Sequence, residues 1–135
     1  MNKLGETRRE DGSEEIIYAY TREQAIEDGE LIDITPLSRE AGFKYPVAVT
    51  RAVWDILEPA DELKAVGQSA TGRTWDMLQV LRWAMRRSGI SDRIAFAPLF
   101  LTERKGRIEP VSLWAVCGPG DDSQAVITIM TEGED

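Results

Sequence analysis

Hydrophobic and polar residues follow a helical period in the middle of the chain and a strand-like pattern near its carboxyl end. Between residues 72 and 88 apolar side chains recur every three or four positions, which predicts one long amphipathic helix with a buried stripe. The residues of this stripe are Met77, Leu78, Leu81, Ala84 and Met85. Beyond residue 89 three runs, RIAFAPLFL, EPVSLWAVC and AVITIM, are rich in residues that favour strands, and short turn-rich segments join them. They predict an antiparallel meander of three strands.

Shorter elements are predicted in the first half of the chain. EEIIYAYT and LIDIT suit two short strands, and Thr21 with Gln24 three residues later has the spacing of a capping box that starts a helix. A second short helix is predicted between a Thr35 cap and Gly42, and Thr50 is predicted to cap a third, RAVWDIL. This order predicts an α+β fold: a small, mainly antiparallel sheet with the carboxyl-terminal meander, the long helix and several short helices. The first strand is expected to pair with the meander.

The length of the chain is typical of one domain. At 135 residues it can bury roughly two thirds of the surface that its unfolded form exposes. Residues 1–14 contain few apolar side chains and predict a disordered polar tail. Residues 15–131 predict a single globular domain, and residues 132–135 predict a second, acidic tail.

The composition narrows the range of chemistries. The net charge of -8 repels phosphate backbones, and Arg73, Arg86 and Arg87 at the two ends of the long helix are too few to reverse this, so direct nucleic-acid binding is not expected. The absence of histidine removes the Ser-His and Cys-His pairs and the usual zinc sites, and it leaves magnesium or calcium as candidate metals. No apolar run suits a bilayer span or a signal peptide, and one cysteine forms no internal disulfide. We therefore expect a cytoplasmic protein without membrane contact and without a cofactor.

The single cysteine lies beside a turn-forming segment, AVCGPGDDSQAVITIM. This segment is either a β-hairpin or a reactive loop in which a thiol and two carboxylates converge. The residues of Gly118–Asp122 are typical of turns, and the flanking residues alternate as strands do. A nucleophilic cysteine needs a neighbouring base or cation, or a helix amino terminus, to lower its pKa, and the chain has no histidine to serve. The hairpin is therefore the prediction, with Cys117 packed as a small apolar side chain.

A carboxylate site is the alternative that would make the chain an enzyme. Magnesium requires several carboxylates that converge from different parts of the chain. The candidates are Asp33, Asp76, Asp121 and Asp122. Their meeting in one cleft would indicate a magnesium-dependent or carboxylate-based enzyme that acts on a phosphate-containing small molecule.

The long helix carries a different candidate site on the side away from its apolar stripe. At about 100° per residue, Gln79, Trp83 and Arg86 point nearly opposite the stripe, and Trp75 and Arg82 flank them. An exposed tryptophan among arginines is typical of the residues that dominate binding at protein interfaces. Two alternatives stay open: a surface that binds a protein, or a helix covered on both sides in which Trp83 belongs to the core.

Four segments carry a resemblance: YTREQAIEDGELID, EAGFKYPVAVTRAVW, GRTWDML and AVCGPGDDSQAVITIM. They span most of the chain from Tyr18 to Met130, and in this order they resemble a family of small uncharacterised proteins, a domain of unknown function, from phages, plasmids and bacterial genomes. The resemblance implies a mobile-element setting and no particular activity, cofactor or catalytic residue. Our main hypothesis is a non-enzymatic accessory protein that binds and modulates a host or plasmid protein.

The clusters of acidic residues suggest one more alternative. They are EDGSEE, EQAIEDGELID, DILEPADE and EGED. Such clusters usually keep a protein soluble, and the alternative is that they imitate the phosphates of a nucleic acid or dock a basic host protein.

Overall fold

The computed structural model describes residues 3–8, 14–89, 91–103 and 106–134. The strands within these residues are β1 (Lys3–Arg8), β2 (Glu14–Ala19), β3 (Leu31–Asp33), β4 (Val47–Thr50), β5 (Arg93–Phe96), β6 (Leu99–Glu103), β7 (Arg107–Pro110), β8 (Leu113–Pro119) and β9 (Ala125–Thr131). The helices are α1 (Arg22–Glu27), α2 (Thr35–Glu40), α3 (Arg51–Leu57), α4 (Asp61–Lys64) and α5 (Ala70–Ser88).

A five-stranded mixed sheet organises the fold. Its strand order is β3-β4-β9-β8-β5, in which β4 and β9 are parallel and the other neighbouring pairs are antiparallel. Helix α5 contacts β5, and α3 contacts β9 and β4. This arrangement confirms the predicted α+β fold with a mainly antiparallel sheet, one long helix and several short helices.

The carboxyl-terminal meander differs from the prediction in one respect. Strands β5, β8 and β9 are antiparallel neighbours as expected, but the run RIAFAPLFL divides at Pro98 into β5 and β6. Strand β6 pairs with β7 in a separate two-stranded sheet. The division occurs because proline has no N–H to donate to a strand ladder. The carbonyl of Pro98 accepts the N–H of Val111 at 2.9 Å and closes the base of the β6–β7 hairpin.

The amino-terminal strands also differ from the prediction. Strand β2 forms where a strand is predicted, but it pairs with β1 in its own two-stranded sheet, so the predicted pairing with the meander is wrong. Strand β1 occupies residues 3–8 of the segment that is predicted to be a disordered tail. Residues 1–2 and 9–13 of that tail, and residue 135 of the acidic tail, lie outside the described residues. The limits of the globular domain stay a prediction.

Side-chain caps start two of the short helices. Thr21 caps α1 in a complete capping box, because its hydroxyl accepts the N–H of Gln24 at 3.0 Å while the Gln24 side chain accepts the N–H of Thr21 at 3.1 Å. Thr50 caps α3 by accepting the N–H of Val53 at 3.3 Å. Both caps confirm the prediction.

The core lies between the five-stranded sheet and the inner sides of α3 and α5. Its most deeply buried apolar residues are Val47, Val49, Val53, Leu57, Met77, Leu78, Leu81, Leu113, Ala115, Ile127 and Ile129. The predicted stripe of α5 is thus part of the core, with Ala84 and Met85 half-buried at its end.

Helix α5 is two residues longer at its amino end than the predicted range of 72–88. It begins at Ala70 because Ser69 accepts the N–H of Gly72 at 3.0 Å. It ends before Gly89, whose positive φ of 75° is a conformation that glycine adopts without strain. Among the described residues, no helix has both the length and the apolar character needed to cross a membrane.

Candidate functional site

The outer face of α5 consists of Trp75, Gln79, Arg82, Trp83 and Arg86. Trp83 is 68% exposed and Trp75 is 37% exposed. Arg86 is exposed, and Gln79 and Arg82 are half-buried. Trp83 therefore lies on the surface, so the alternative that places it in the core is wrong, while binding by this face stays a prediction.

The position of Trp83 around the axis of α5 explains its exposure. Leu81 is fully buried against the sheet, and Trp83 follows it by two residues, which is about 200° around the helix axis. Trp83 must therefore point away from the core. Arg86 lies a further three residues along, so it projects from the same side about one turn later.

A pocket lies beside the outer face, between α5 and residues 42–45. Its volume is about 250 Å³. It is lined by Gly42, Phe43, Lys44, Tyr45, Arg82, Met85, Arg86 and Ile127. Arg82 and Arg86 belong to both the outer face and the pocket, and Tyr45 is 52% exposed. The pocket and the outer face therefore form one continuous surface.

Gly42 brings residues 42–45 against α5. It follows α2 with a positive φ of 98°, and the N–H of Phe43 donates to the carbonyl of Ser38 at 2.9 Å, as in a glycine-ended helix. This confirms the prediction that Gly42 ends the second short helix. A Cβ at Gly42 would lie 3.2 Å from Cζ of Arg82. The missing side chain therefore allows the Arg82 guanidinium to lie directly against the backbone.

The segment around Cys117 is the predicted hairpin. Strands β8 and β9 pair along their full lengths, and the N–H of Gly120 donates to the carbonyl of Gln124 at 2.7 Å within the turn. Cys117 is half-buried against the core. Burial, and to a lesser extent the charge of Asp92, raise the pKa of the Cys117 thiol. A thiol with a raised pKa is mostly protonated near neutral pH, so it is a weak nucleophile.

Two of the candidate metal ligands have local structural partners in this hairpin. The carboxylate of Asp121 accepts the N–H of Arg22 at 2.9 Å and the N–H of Glu23 at 3.0 Å, which satisfies the first turn of α1. Asp122 accepts the N–H of Gln124 at 3.1 Å and shapes the turn.

The other two candidate ligands lie on different elements. The carboxylate of Asp33 accepts the N–H of Thr35 at 3.0 Å and also its hydroxyl. Thr35 is the first residue of α2, and Ile34 occupies the cap position that was predicted for Thr35. Asp76 is exposed on α5. Within the described ranges, no three cysteine, aspartate or glutamate side chains come together in a way that could hold a metal ion.

Arg22 makes a tertiary contact that was not predicted from the sequence. Its guanidinium donates to the hydroxyl of Thr128 at 2.6 Å and to the carbonyl of Ile127 at 2.9 Å, and it thereby fastens α1 to β9. Burial lowers the pKa of Arg22, and the negative charges of Asp33 and Asp121 act in the opposite direction. The hydroxyl partner lies 106 residues away in the sequence, so no local pattern signals the contact.

Arg73 makes the second contact that was not predicted from the sequence. It lies in the first half of α5 and is buried. Its guanidinium donates to the carbonyl of Ile56 at 2.7 Å, to the carbonyl of Leu101 and to the side chain of Gln68 at 3.4 Å. It also lies 5.3 Å from the ring centre of Phe100. Burial lowers the pKa of Arg73. This arginine therefore joins α3, α5 and β6.

The fold and the site define a small α+β protein with an exposed aromatic and basic surface on its long helix. The chain belongs to the family of unknown function DUF6573, whose model matches residues 11–135. The predicted resemblance to an uncharacterised domain family is thereby confirmed. No curated protein and no solved structure matches the chain.

Proposed function

We propose that this chain is a protein-binding module without enzymatic activity, which acts in a phage or plasmid setting by binding and modulating a host or plasmid protein. The observation that carries the proposal is the 68% exposure of Trp83 on the outer face of α5. Large aromatic side chains are usually mostly buried, so a tryptophan held in solvent by a rigid helix is typical of a surface that a partner covers.

The composition around Trp83 supports binding to a protein. Arg86 lies one turn along the helix, and tryptophan and arginine are both enriched among the residues that dominate the affinity of protein interfaces. Trp75 extends the aromatic surface toward the start of the helix and is 37% exposed. A nucleic-acid partner is disfavoured because the chain carries a net charge of -8.

The test uses the full chain as bait in a lysate of its host. Proteins that it captures are identified, the partner is purified, and the Kd for the purified pair is measured by isothermal titration calorimetry. Trp83→Ala is expected to weaken binding roughly 30-fold or more, because truncation of a dominant interface residue costs about 2 kcal/mol or more. Trp83→Phe keeps an aromatic ring and is expected to retain part of the affinity.

The controls separate binding from folding. Because Trp83 is exposed, Trp83→Ala is expected to change the free energy of unfolding by no more than about 0.5 kcal/mol. Arg51→Ala removes an exposed charge at the amino end of α3, which contributes no residue to the outer face, and it is expected to leave the Kd unchanged. An unchanged Kd for Trp83→Ala, or a strongly lowered melting temperature, would contradict the proposal.

A further inference from the structure

We infer that the pocket between α5 and residues 42–45 binds an acidic segment of the partner protein. One apolar side chain of that segment enters the pocket, and its carboxylates lie on the cations that surround the opening. This inference rests on the proposed function, because it names the chemistry of the partner that covers the outer face.

The size and floor of the pocket suit a single apolar side chain. Phe43 and Ile127 are buried, Met85 is half-buried, and the three provide an apolar base. The volume of about 250 Å³ is below the range of roughly 300–1,000 Å³ that is typical of sites for whole small molecules and cofactors. The pocket therefore suits one residue of a peptide better than a complete cofactor.

The charges around the pocket have one sign. Lys44, Arg82 and Arg86 line it, and none of the described residues that line it is acidic. Within the part of the chain that the structure describes, none of these three side chains forms a hydrogen bond or an ion pair. The exposed Lys64, by contrast, lies 2.5 Å from the carboxylate of Glu58. A protein with a net charge of -8 thus has a local cationic site whose charges lack counterions among the described residues.

The negative ends of two helices offset part of this positive charge but not all of it. Arg82 lies beside the glycine that follows α2, and Arg86 lies in the last turn of α5, so both are near the negative end of a helix. Each end supplies at most about half an elementary charge. Two such ends together offset about one of the three cations, which leaves an excess of positive charge for a carboxylate ligand. Arginine is well suited to this ligand because its guanidinium can donate two parallel hydrogen bonds to one carboxylate.

Continuity with the outer face favours a peptide segment over an isolated anion. Arg86 lines the pocket and lies one turn from Trp83, so a partner that covers Trp83 can place its next residues at the opening. A short acidic segment experiences mainly the local cations, whereas a long polyanion such as DNA is repelled by the whole acidic chain. These observations favour an acidic protein segment over a nucleic acid.

The test uses short fluorescein-labelled peptides with a glycine-serine background and one of three centres: Glu-Phe-Glu, Gln-Phe-Gln or Glu-Ser-Glu. Binding is measured by fluorescence anisotropy and mapped by amide chemical shifts. The Glu-Phe-Glu peptide is expected to shift the amides of residues 42–45 and of the last two turns of α5. The other two peptides, which lack the charge or the ring, are expected to bind at least about tenfold more weakly.

Variants assign the binding to the pocket. Arg82→Gln and Lys44→Ala are each expected to weaken the Glu-Phe-Glu peptide roughly tenfold. Lys44 is exposed, so Lys44→Ala keeps the test valid if the half-buried Arg82 proves necessary for folding. Arg51→Ala changes the net charge by the same amount at the opposite end of β4, and it is expected to leave the affinity within about twofold.

Several results would overturn the inference. These are equal binding of the Gln-Phe-Gln and Glu-Phe-Glu peptides, no binding of either, and stronger binding of a single-stranded DNA oligonucleotide. A dimer seen by light scattering that Arg82→Gln dissociates would also overturn it, because the occupant would then be a second copy of the chain. If the captured partner depends on Trp83 but neither on Lys44 nor on competition by Glu-Phe-Glu, the inference fails and the proposed function stands. If no partner depends on Trp83, the proposed function fails.

Discussion

The buried guanidinium of Arg73 offers the sharpest test of how the helices are joined to the β6–β7 hairpin. The carbonyl of Ile56 belongs to the last turn of α3 and has no partner within that helix. The carbonyl of Leu101 lies where the pairing of β6 with β7 shifts register. Arg73 therefore satisfies one acceptor that α3 leaves open and a second acceptor at an irregular point of the β6–β7 pairing.

The cost of removing this group follows from those two acceptors. Arg73→Met keeps much of the apolar side chain and removes every donor. A carbonyl left without a donor costs about 1–3 kcal/mol when it is fully buried, so these two carbonyls, on half-buried residues, cost at most about 2–6 kcal/mol together. The variant also relieves the cost of burying a charge, which reduces the net effect. We expect the free energy of unfolding to fall by about 2–4 kcal/mol, and by about 1–2 kcal/mol more for Arg73→Ala, which leaves a cavity.

Urea unfolding followed by circular dichroism measures this effect. With a slope of about 2 kcal/mol per molar urea, the middle of the usual range, Arg73→Met is expected to shift the midpoint by about 1–2 M without a change in slope. Arg87→Ala removes an exposed arginine of the same helix and is expected to stay within about 0.5 kcal/mol. If Arg73→Met matched Arg87→Ala, the hydrogen bonds would only offset the cost of desolvating the guanidinium, and the argument from open acceptors would be refuted.

Three further predictions concern other contacts. Asp121→Ala removes the acceptor at the start of α1 and should lower the free energy of unfolding by about 1–2 kcal/mol in urea titrations; no change would contradict this. Cys117 should react with iodoacetamide more slowly in the native chain than in urea, and faster as the pH rises through its raised pKa; equal rates would refute its burial. Burial acts to raise the pKa of Glu134, but hydrogen bonds from Thr131 and Thr50 outweigh it and lower that pKa. The native chain should therefore have a higher free energy of unfolding than Glu134→Gln at about pH 7, and this difference should disappear toward about pH 3. A difference that does not change with pH would contradict this.

Local signals explain why much of the fold could be predicted. The caps at Thr21 and Thr50 involve partners three residues away, so the sequence alone specifies them. The outer face of α5 follows from the helical period once the apolar stripe is assigned. Pro98 is also a local signal, because proline interrupts the hydrogen bonds of a strand. The prediction of one strand through Pro98 was wrong because the proline separates β5 and β6 into different sheets.

Contacts between distant parts of the chain could not be predicted. Arg22 and Thr128 meet only because the tertiary fold brings the start of α1 beside β9, and nothing in the residues around either one indicates the other. Arg73 looked like an ordinary arginine near the start of a helix, and its burial depends on the placement of β6. The pocket could not be predicted for the same reason, because it exists only where residues 42–45 lie against the end of α5.

Hydroxyl-radical footprinting of the purified complex with the captured partner tests most directly whether the outer face of α5 binds a protein. In the free chain Trp83 is 68% exposed and readily oxidised, whereas Trp114 is half-buried on the sheet. We predict that the partner lowers the oxidation of Trp83 several-fold and leaves that of Trp114 unchanged. Equal oxidation of Trp83 in the free chain and in the complex would contradict the assignment of this face as the binding surface.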